Sequence, residues 1–418
     1  MPGKWQLSLV ASVTSLVIAA AYCAHACPYC PPTDATLSEK LAESDTACVV
    51  KFLSSKNGEE LSMQTTTFQI KQLMKPSKMF KTDEQIVTNF GVTANPGDTY
   101  LLMGQLQQGT MDWSLPIEID EVSREYVRQS PSPELRPKAD RLAYFFRFLD
   151  TSIPVISNDA FGEFARADFE DVKQLLDKLP HDKVRTKVRK WLADPNPQLV
   201  VRRAFYGMLL GLCGNADDAE YLKREILAPI DPQTNRLGIE GMMGGYLILT
   251  GQAGLRMLVE TKIDSLPAEM AVDDPRISDL NALRMTLNFL WDFRHSQFGA
   301  EPLRAAMRHY LDRPEFAELA VVDLSRWKDW TSLDPLIAAY GRDPWETRSA
   351  KEKIVAFVLS CRKDTKGQTG TEAAARAAKA QQFLDSLEPD FVQSVQRMTG
   401  IAQPRPKPPA KPTDDRSE

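Results

Sequence analysis

Two cysteines close to the amino terminus have the spacing of a chemical site. They form the segment Cys27-Pro28-Tyr29-Cys30, a Cys-x-x-Cys pair. Thiol–disulfide catalysis with such a pair needs the first thiol at the start of a helix, where its pKa is lowered. Pro31-Pro32 follows Cys30 directly and opposes a continuing helix. The sequence therefore predicts a structural disulfide, with Cys27, Cys30 and Cys48 as the candidates, and no redox catalysis.

Histidines and paired acids are the other residues that could bind a metal or catalyse a reaction. His181, His295 and His309 lack the spacing of a metal motif such as His-Glu-x-x-His, so we predict no metal site. Asp217-Asp218 and Asp273-Asp274 lie at predicted helix starts, where carboxylates stabilise the first turn. The sequence has no phosphate-binding loop, dinucleotide-binding glycine motif or nucleophile elbow. We therefore expect no catalytic residue and no cofactor, with an extracytoplasmic enzyme of unknown type as an alternative.

The first 26 residues have the three parts of a secretory signal peptide. Lys4 supplies the positive charge, Leu7 to Tyr22 form a short apolar run, and Ala24-His25-Ala26 places small residues before the cleavage site. Cleavage before Cys27 would give a secreted or periplasmic protein. Two alternatives stay open, a retained membrane anchor and lipidation of Cys27, and only these would bring the protein to a membrane.

Charge and length limit the class of protein further. The chain has 418 residues and a formal net charge of −5, and its basic residues are interspersed with acids. Such a surface has no basic field to hold nucleic acid, so we predict no nucleic-acid partner. A mature chain of this length exceeds what one hydrophobic core holds, so we expect at least two domains.

The part of the chain from residue 27 to residue 129 is predicted to be a small β-barrel domain. A capping-box spacing, Thr36-Leu37-Ser38-Glu39, predicts a short helix from Leu37 to Glu43. Short β-rich runs separated by turn signals follow, and they predict about five strands. The clearest of these runs are Cys48 to Leu53, Thr65 to Leu73, Gln85 to Val87 and Tyr100 to Met103.

A proline-rich segment separates this part from a helical region. Residues 130–139 contain Ser130-Pro131-Ser132-Pro133 and read as an extended linker. From 140 to 400 the apolar residues recur at helical spacing, and turn signals recur about every 34–42 residues, within the range of two-helix repeats. Residues 401–418 are proline and charge and are predicted to be disordered. The predicted turns are Leu212 to Asn215, Leu249 to Gln252, Trp291 to Phe293, Arg326 to Asp329 and Cys361 to Asp364.

Four aromatic residues near the later turns allow two interpretations. Trp327, Trp330, Tyr340 and Trp345 could line a surface that recognises a partner, since large rings are enriched at binding sites. They could equally pack inside the helical core. The sequence alone allows both interpretations.

Two family resemblances follow from these patterns. Residues 140–365 resemble HEAT-like α-α solenoids, on the recurring turns and the Asp194-Pro195 and Asp343-Pro344 helix starts. Residues 27–128 resemble the bacterial branch of the tissue-inhibitor-of-metalloproteinase and netrin-like modules, which are OB-fold barrels. The matching features are the Cys-x-x-Cys-Pro start, the segment 37–53, the strand 68–75 with its basic end, and residues 97–102. That family usually starts Cys-x-Cys and carries more cysteines.

The second resemblance implies a role for Cys27. In that family the free α-amine and carbonyl of the first mature residue chelate the metal of a partner protease, so a metalloprotease inhibitor is one alternative function. The function that we predict is a secreted, non-enzymatic interaction protein. It consists of an OB-like barrel followed by an all-α HEAT-like solenoid, an α+β multidomain fold, and binds a protein partner through its helical-repeat surface.

Overall fold

The computed structural model describes residues 30, 34–56, 64–230, 236–267, 269–366, 368 and 370–400. The predicted signal peptide, Cys27 and the predicted tail over 401–418 lie outside these residues. Within them the fold is an antiparallel sheet followed by a largely helical region, and this confirms the α+β class. The chain divides into two compact units, residues 1–220 and 221–418, and each is described by itself.

The first unit begins with a short helix and a six-stranded antiparallel sheet. The sheet curls into a half-barrel with the strand order β3-β2-β1-β4-β5, and β6 pairs with β4. Strands β3 and β5 are thus the two edges of the sheet. The elements are α1 (Leu37–Glu43), β1 (Thr46–Lys56), β2 (Thr65–Lys75), β3 (Gln85–Thr88), β4 (Thr99–Gln107), β5 (Thr110–Trp113) and β6 (Ile117–Glu118).

Alternating side chains on one face of the sheet build its core. Val50 pairs with Ile70 and Phe52 with Phe68 across β1 and β2, and all four side chains are buried. Register shifts interrupt this pairing at three places. Such irregularities bend and twist a strand, so they help the sheet to curl.

The sequence did not reveal the last two strands. Strand β5 follows β4 through a two-residue turn at Gln108 and Gly109, whose φ angles are 51° and 87°. Two consecutive positive φ angles are typical of the hairpin turn that matches strand twist. Glutamine is an unusual residue for the first of these positions, so the turn signal is weak in the sequence.

Helix α1 is confirmed with the predicted bounds, and both of its ends are fixed. The Thr36 side chain accepts a hydrogen bond from the Glu39 N–H, while the Glu39 side chain accepts one from the Thr36 N–H. At the other end the Lys75 ammonium, from the end of β2, donates hydrogen bonds to the carbonyls of Leu41, Ala42 and Ser44. A cation at a helix carboxyl terminus also interacts favourably with the helix dipole.

Helices make up the rest of the first unit. Their amphipathic pattern buries leucine, valine and aromatic side chains between neighbouring helices. The helices are α2 (Glu121–Gln129), α3 (Lys138–Phe146), α4 (Pro154–Ala165), α5 (Phe169–Lys178), α6 (His181–Ala193), α7 (Pro197–Val200), α8 (Arg203–Cys213) and α9 (Ala216–Leu227), of which α9 crosses into the second unit.

The predicted linker over 130–139 joins α2 to α3, but α1 makes contacts beyond it. Asp159 and Glu163 of α4 accept hydrogen bonds from Leu37 and Ser38 of α1. The first compact unit therefore contains the sheet together with the first helices. Independent folding of residues 27–129 stays a prediction.

The second unit is helical throughout its described residues. Besides α-helices it has a π-helical turn at Glu260–Asp264 and 3-10 turns at His309–Asp312 and Trp330–Ser332. The helices are α10 (Ile239–Val259), α11 (Arg276–Phe298), α12 (Ala300–Arg308), α13 (Ala317–Arg326), α14 (Leu333–Ala339), α15 (Arg348–Thr365), α16 (Thr371–Asp385) and α17 (Pro389–Thr399).

Consecutive predicted turns touch one another in the second unit. The indole rings of Trp291 and Trp327 stack at a centroid distance of 4.6 Å. Arg326 pairs with Asp292 and Lys328 with Asp364, across separations of 34 and 36 residues. Contacts between positions about one repeat length apart are what stacked helical repeats produce.

Two of the predicted turns lie elsewhere than expected. Residues 291–293 lie inside α11, which continues to Phe298 and ends at Gly299 with φ 78°. Residues 361–364 belong to the last turn of α15. The other three are confirmed as breaks, at Gly214 after α8, at Gly251 within α10 and at Lys328 after α13.

We expect Gly251→Ala to lower the free energy of unfolding by about 1–3 kcal/mol. Gly251 has φ 61° and ψ −144°, a conformation that an L side chain tolerates poorly, although a Cβ there meets nothing within 4 Å. The matched control is Gly370→Ala, because Gly370 has φ −150° and the same open surroundings. Urea denaturation compares the two, and equal stabilities would contradict the strain argument.

Candidate functional site

The amino-terminal cysteines are only partly within the described residues. Cys30 is disulfide-bonded, and Cys27 lies outside the described part of the chain. Cys48 is a free thiol on β1, 1% exposed, and burial raises its pKa to about 12. Cys48 thus takes no part in a disulfide here, because the sheet core encloses its side chain.

The four aromatic residues do not form an exposed recognition surface. Trp327, Trp330 and Trp345 are at most 9% exposed. Trp330 packs edge-on against Phe357, and its indole N–H donates to Asp364. Tyr340 is half-buried and packs against Phe383. The core interpretation is therefore correct for the three tryptophans.

Asp218, Asp274 and His309 make local structural contacts, and the side chain of His295 lies outside the described part of the structure. Asp218 is buried, accepts the Asn215 N–H just before α9 and pairs with Arg185. Asp274 accepts hydrogen bonds from the N–H and the guanidinium of Arg276 at the start of α11. His309 contacts Asp264 at 2.7 Å on the surface. Across the described residues, no three histidine, cysteine or acidic side chains are grouped closely enough to hold a metal ion.

A buried polar cluster lies where α1 meets α3 and α4, and sequence reasoning did not predict it. Arg141 pairs with both carboxylate oxygens of Glu163, and Glu163 also accepts the Ser38 hydroxyl at 2.7 Å. Arg141 is 8% exposed and Glu163 3%. Beside this pair, Asp159 accepts the Leu37 N–H at 2.6 Å and the Tyr126 hydroxyl at 2.7 Å.

A cleft of about 380 Å³ opens next to this cluster, and we call it the α1–α4 cleft. Asp159 lines it, and burial raises the pKa of this carboxyl to about 6. A carboxyl that is raised in pKa and lines a cleft is a candidate binding group. The other lining residues are Asp34, Ala35, Thr36, Leu37, Lys40, Ile117, Val155, Asn158 and Gly162.

A second candidate is the surface that α11, α13 and α15 share, which we call the three-helix face. Asn288 and Asp292 of α11 contact Asp323 and Arg326 of α13 in parallel register. The Ser349 hydroxyl of α15 donates to Glu318 of α13. These contacts link α13 to α11 on one side and to α15 on the other.

Apolar side chains are exposed in the middle of the three-helix face. Met285 of α11 is 40% exposed, and Leu319 and Val322 of α13 are 43% and 46% exposed. Met285 precedes Asn288 by one turn, and Leu319 and Val322 precede Arg326 on the same side of α13. The parallel register therefore places Met285 at the level of Leu319, with Val322 nearly one turn further along α13.

The comparisons with known proteins gave no match. No protein-family model, no curated protein and no solved structure matches this chain. The function therefore has to be inferred from the chain's own geometry.

One feature of the sequence could have indicated the three-helix face. In α13 the segment Leu319-Ala320-Val321-Val322 is apolar all round, so burial of Ala320 and Val321 leaves Leu319 and Val322 on the outer side. A helix that is apolar on two sides has a second surface to cover. By contrast, the α1–α4 cleft joins residues more than 120 positions apart, as in the hydrogen bond from Leu37 to Asp159, and no local pattern predicts it.

None of the described helices is both long enough and apolar enough to span a bilayer.

Proposed function

We propose that this protein is an exported, non-enzymatic interaction protein that binds a partner protein on the three-helix face. The observation that carries the proposal is the exposure of three apolar side chains, Met285, Leu319 and Val322, on neighbouring turns of helices linked by ion pairs and hydrogen bonds. Single exposed apolar residues are common on protein surfaces, whereas several on neighbouring turns can contact one partner together.

The rigidity of the three-helix face supports this proposal. Beneath it Ala320, Val321 and Leu324 of α13 are buried, as are Ile354 and Phe357 of α15. A preorganised surface loses little conformational entropy when a partner binds, so a modest apolar contact yields more affinity. The exposed ion pair between Arg326 and Asp292 follows the apolar group along the same side of the two helices and supplies a polar border.

We infer that this protein has both HEAT-like repeats and an OB-like, netrin-like module. The separation of 34 to 36 residues between contacting turns supports HEAT-like repeats. The curled sheet and the basic end of β2, where Lys75 binds α1, support an OB-like, netrin-like module. In this proposal the amino-terminal module is a companion domain, and the helical repeats carry the binding surface.

A double variant, Leu319→Asp with Val322→Asp, is expected to weaken partner binding at least about tenfold, since charges would then lie in an apolar contact. The mature protein is immobilised, and extracts of the cells that produce it are passed over wild type and variant. Proteins bound by each are quantified by mass spectrometry. Val272→Asp is the matched control, because Val272 is 99% exposed in a loop before α11.

The comparison between variants decides the outcome of this experiment. A partner retained by wild type and Val272→Asp but lost by the double variant supports the three-helix face. An unchanged set of bound proteins with the double variant would overturn it, provided that circular dichroism shows an unaltered helix content.

A further inference from the structure

The α1–α4 cleft has the chemistry of a site for a cation on an aliphatic stem. Leu37, Ile117 and Val155 supply apolar walls. Asp159 supplies a carboxylate among them, and Asn158 adds an amide whose oxygen already accepts a hydrogen bond from Arg202. Small-molecule and side-chain sites generally combine apolar walls with a few convergent polar groups.

The carboxylate of Asp159 has no cation of its own among the described residues. The nearby guanidinium of Arg141 is committed to both oxygens of Glu163. Lys40 also lines the cleft, but among the described residues the cation that acts on Asp159 is Arg141 and not Lys40. Asp159 is stabilised instead by two neutral donors, the Leu37 N–H and the Tyr126 hydroxyl. A bound cation would therefore supply charge compensation that the fold leaves out.

The two hydrogen bonds of Asp159 leave acceptor capacity for a cation. Each oxygen accepts one hydrogen bond and keeps a second lone pair, so a further donor can bind without breaking either bond. A remaining lone pair on one oxygen suffices for an ammonium, which acts as a compact point charge. The methylene stem of a lysine would lie along the apolar walls.

We propose that the α1–α4 cleft binds the side chain of a lysine carried by a polypeptide, with Asp159 as its counter-ion. The cleft lies in the first unit, and the three-helix face lies in the second. The two proposals are therefore tested separately, and failure of one leaves the other standing.

The test uses a lysine probe and an uncharged probe of similar length. Binding of Nα-acetyl-lysine amide to the full mature chain is measured by calorimetry beside Nα-acetyl-norleucine amide. We expect the lysine probe to bind at least about tenfold more tightly, since a charge-assisted hydrogen bond adds to a similar apolar contact. Equal binding of the two probes would overturn the proposal.

Two variants and a control locate the site. In Asp159→Asn the amide oxygen can still accept the Leu37 N–H, and the amide NH2 can donate to the Tyr126 hydroxyl oxygen. The variant should therefore fold, and its affinity for the lysine probe should fall about tenfold. Val155→Phe should reduce binding of both probes by narrowing the cleft. Asp177→Asn, an exposed acid on α5, should change neither. Unchanged lysine binding in a folded Asp159→Asn protein would contradict the assignment, as would undiminished binding in Val155→Phe.

Discussion

Replacing Arg141 with methionine is expected to lower the free energy of unfolding of the first unit by about 3–5 kcal/mol. Arg141 is 8% exposed and is paired with Glu163, which is 3% exposed. The variant leaves the Glu163 carboxylate buried without a cation, and the cost of that uncompensated charge dominates. Chemical denaturation followed by circular dichroism measures the loss.

Two further variants separate the buried charge from the loss of a side chain. Arg141→Met combined with Glu163→Leu removes both charges and should recover most of the lost stability. Arg166→Met breaks a more exposed pair with Glu39 and should cost at most about 1 kcal/mol. A double variant no more stable than Arg141→Met would contradict the charge argument.

The second large effect is expected for Trp327→Ala, which should lower the free energy of unfolding of the second unit by about 3–5 kcal/mol. Trp327 is 0% exposed and stacks on Trp291, so the substitution leaves a large cavity. Val272→Ala, at a 99% exposed position, is the control and should change stability by less than about 0.5 kcal/mol.

This second prediction also separates the two interpretations of the aromatic residues. Substitution of a core residue lowers the stability of the protein. Substitution of a recognition residue weakens partner binding and leaves stability unchanged. A Trp327→Ala protein that kept its stability and lost a bound partner would contradict the assignment of Trp327 to the core. Trp327→Phe should leave a smaller cavity and keep the protein folded, so its stability and its partner binding can both be measured.

Local features of this fold were predictable because their causes are local. Helix α1 has the predicted bounds since its capping box uses Thr36 and Glu39, three residues apart. The early strands followed from alternation of apolar and polar residues. The turn expected at residues 291–293 was wrong because α11 continues through Trp291 and Phe293 without breaking, and the chain turns only at Gly299.

The candidate sites were less predictable because they depend on contacts between distant parts of the chain. Burial raises the pKa of Asp159, and this residue meets α1 through a hydrogen bond from Leu37, which is 122 positions away. The three-helix face depends on the register between α11 and α13, which the ion pair between Arg326 and Asp292 fixes. Neither register nor burial can be read from spacing within a single helix.

Site-specific photocrosslinking from the three-helix face tests the proposed function most directly. A photoreactive amino acid is placed at Leu319 or Met285 in one set of proteins and at Val272 in the control set, and the proteins are irradiated in the cells that produce them. We predict a crosslinked partner, the same from Leu319 and from Met285, and none from Val272. A partner crosslinked only from Val272, or no crosslink from either position on the face, would contradict the proposal.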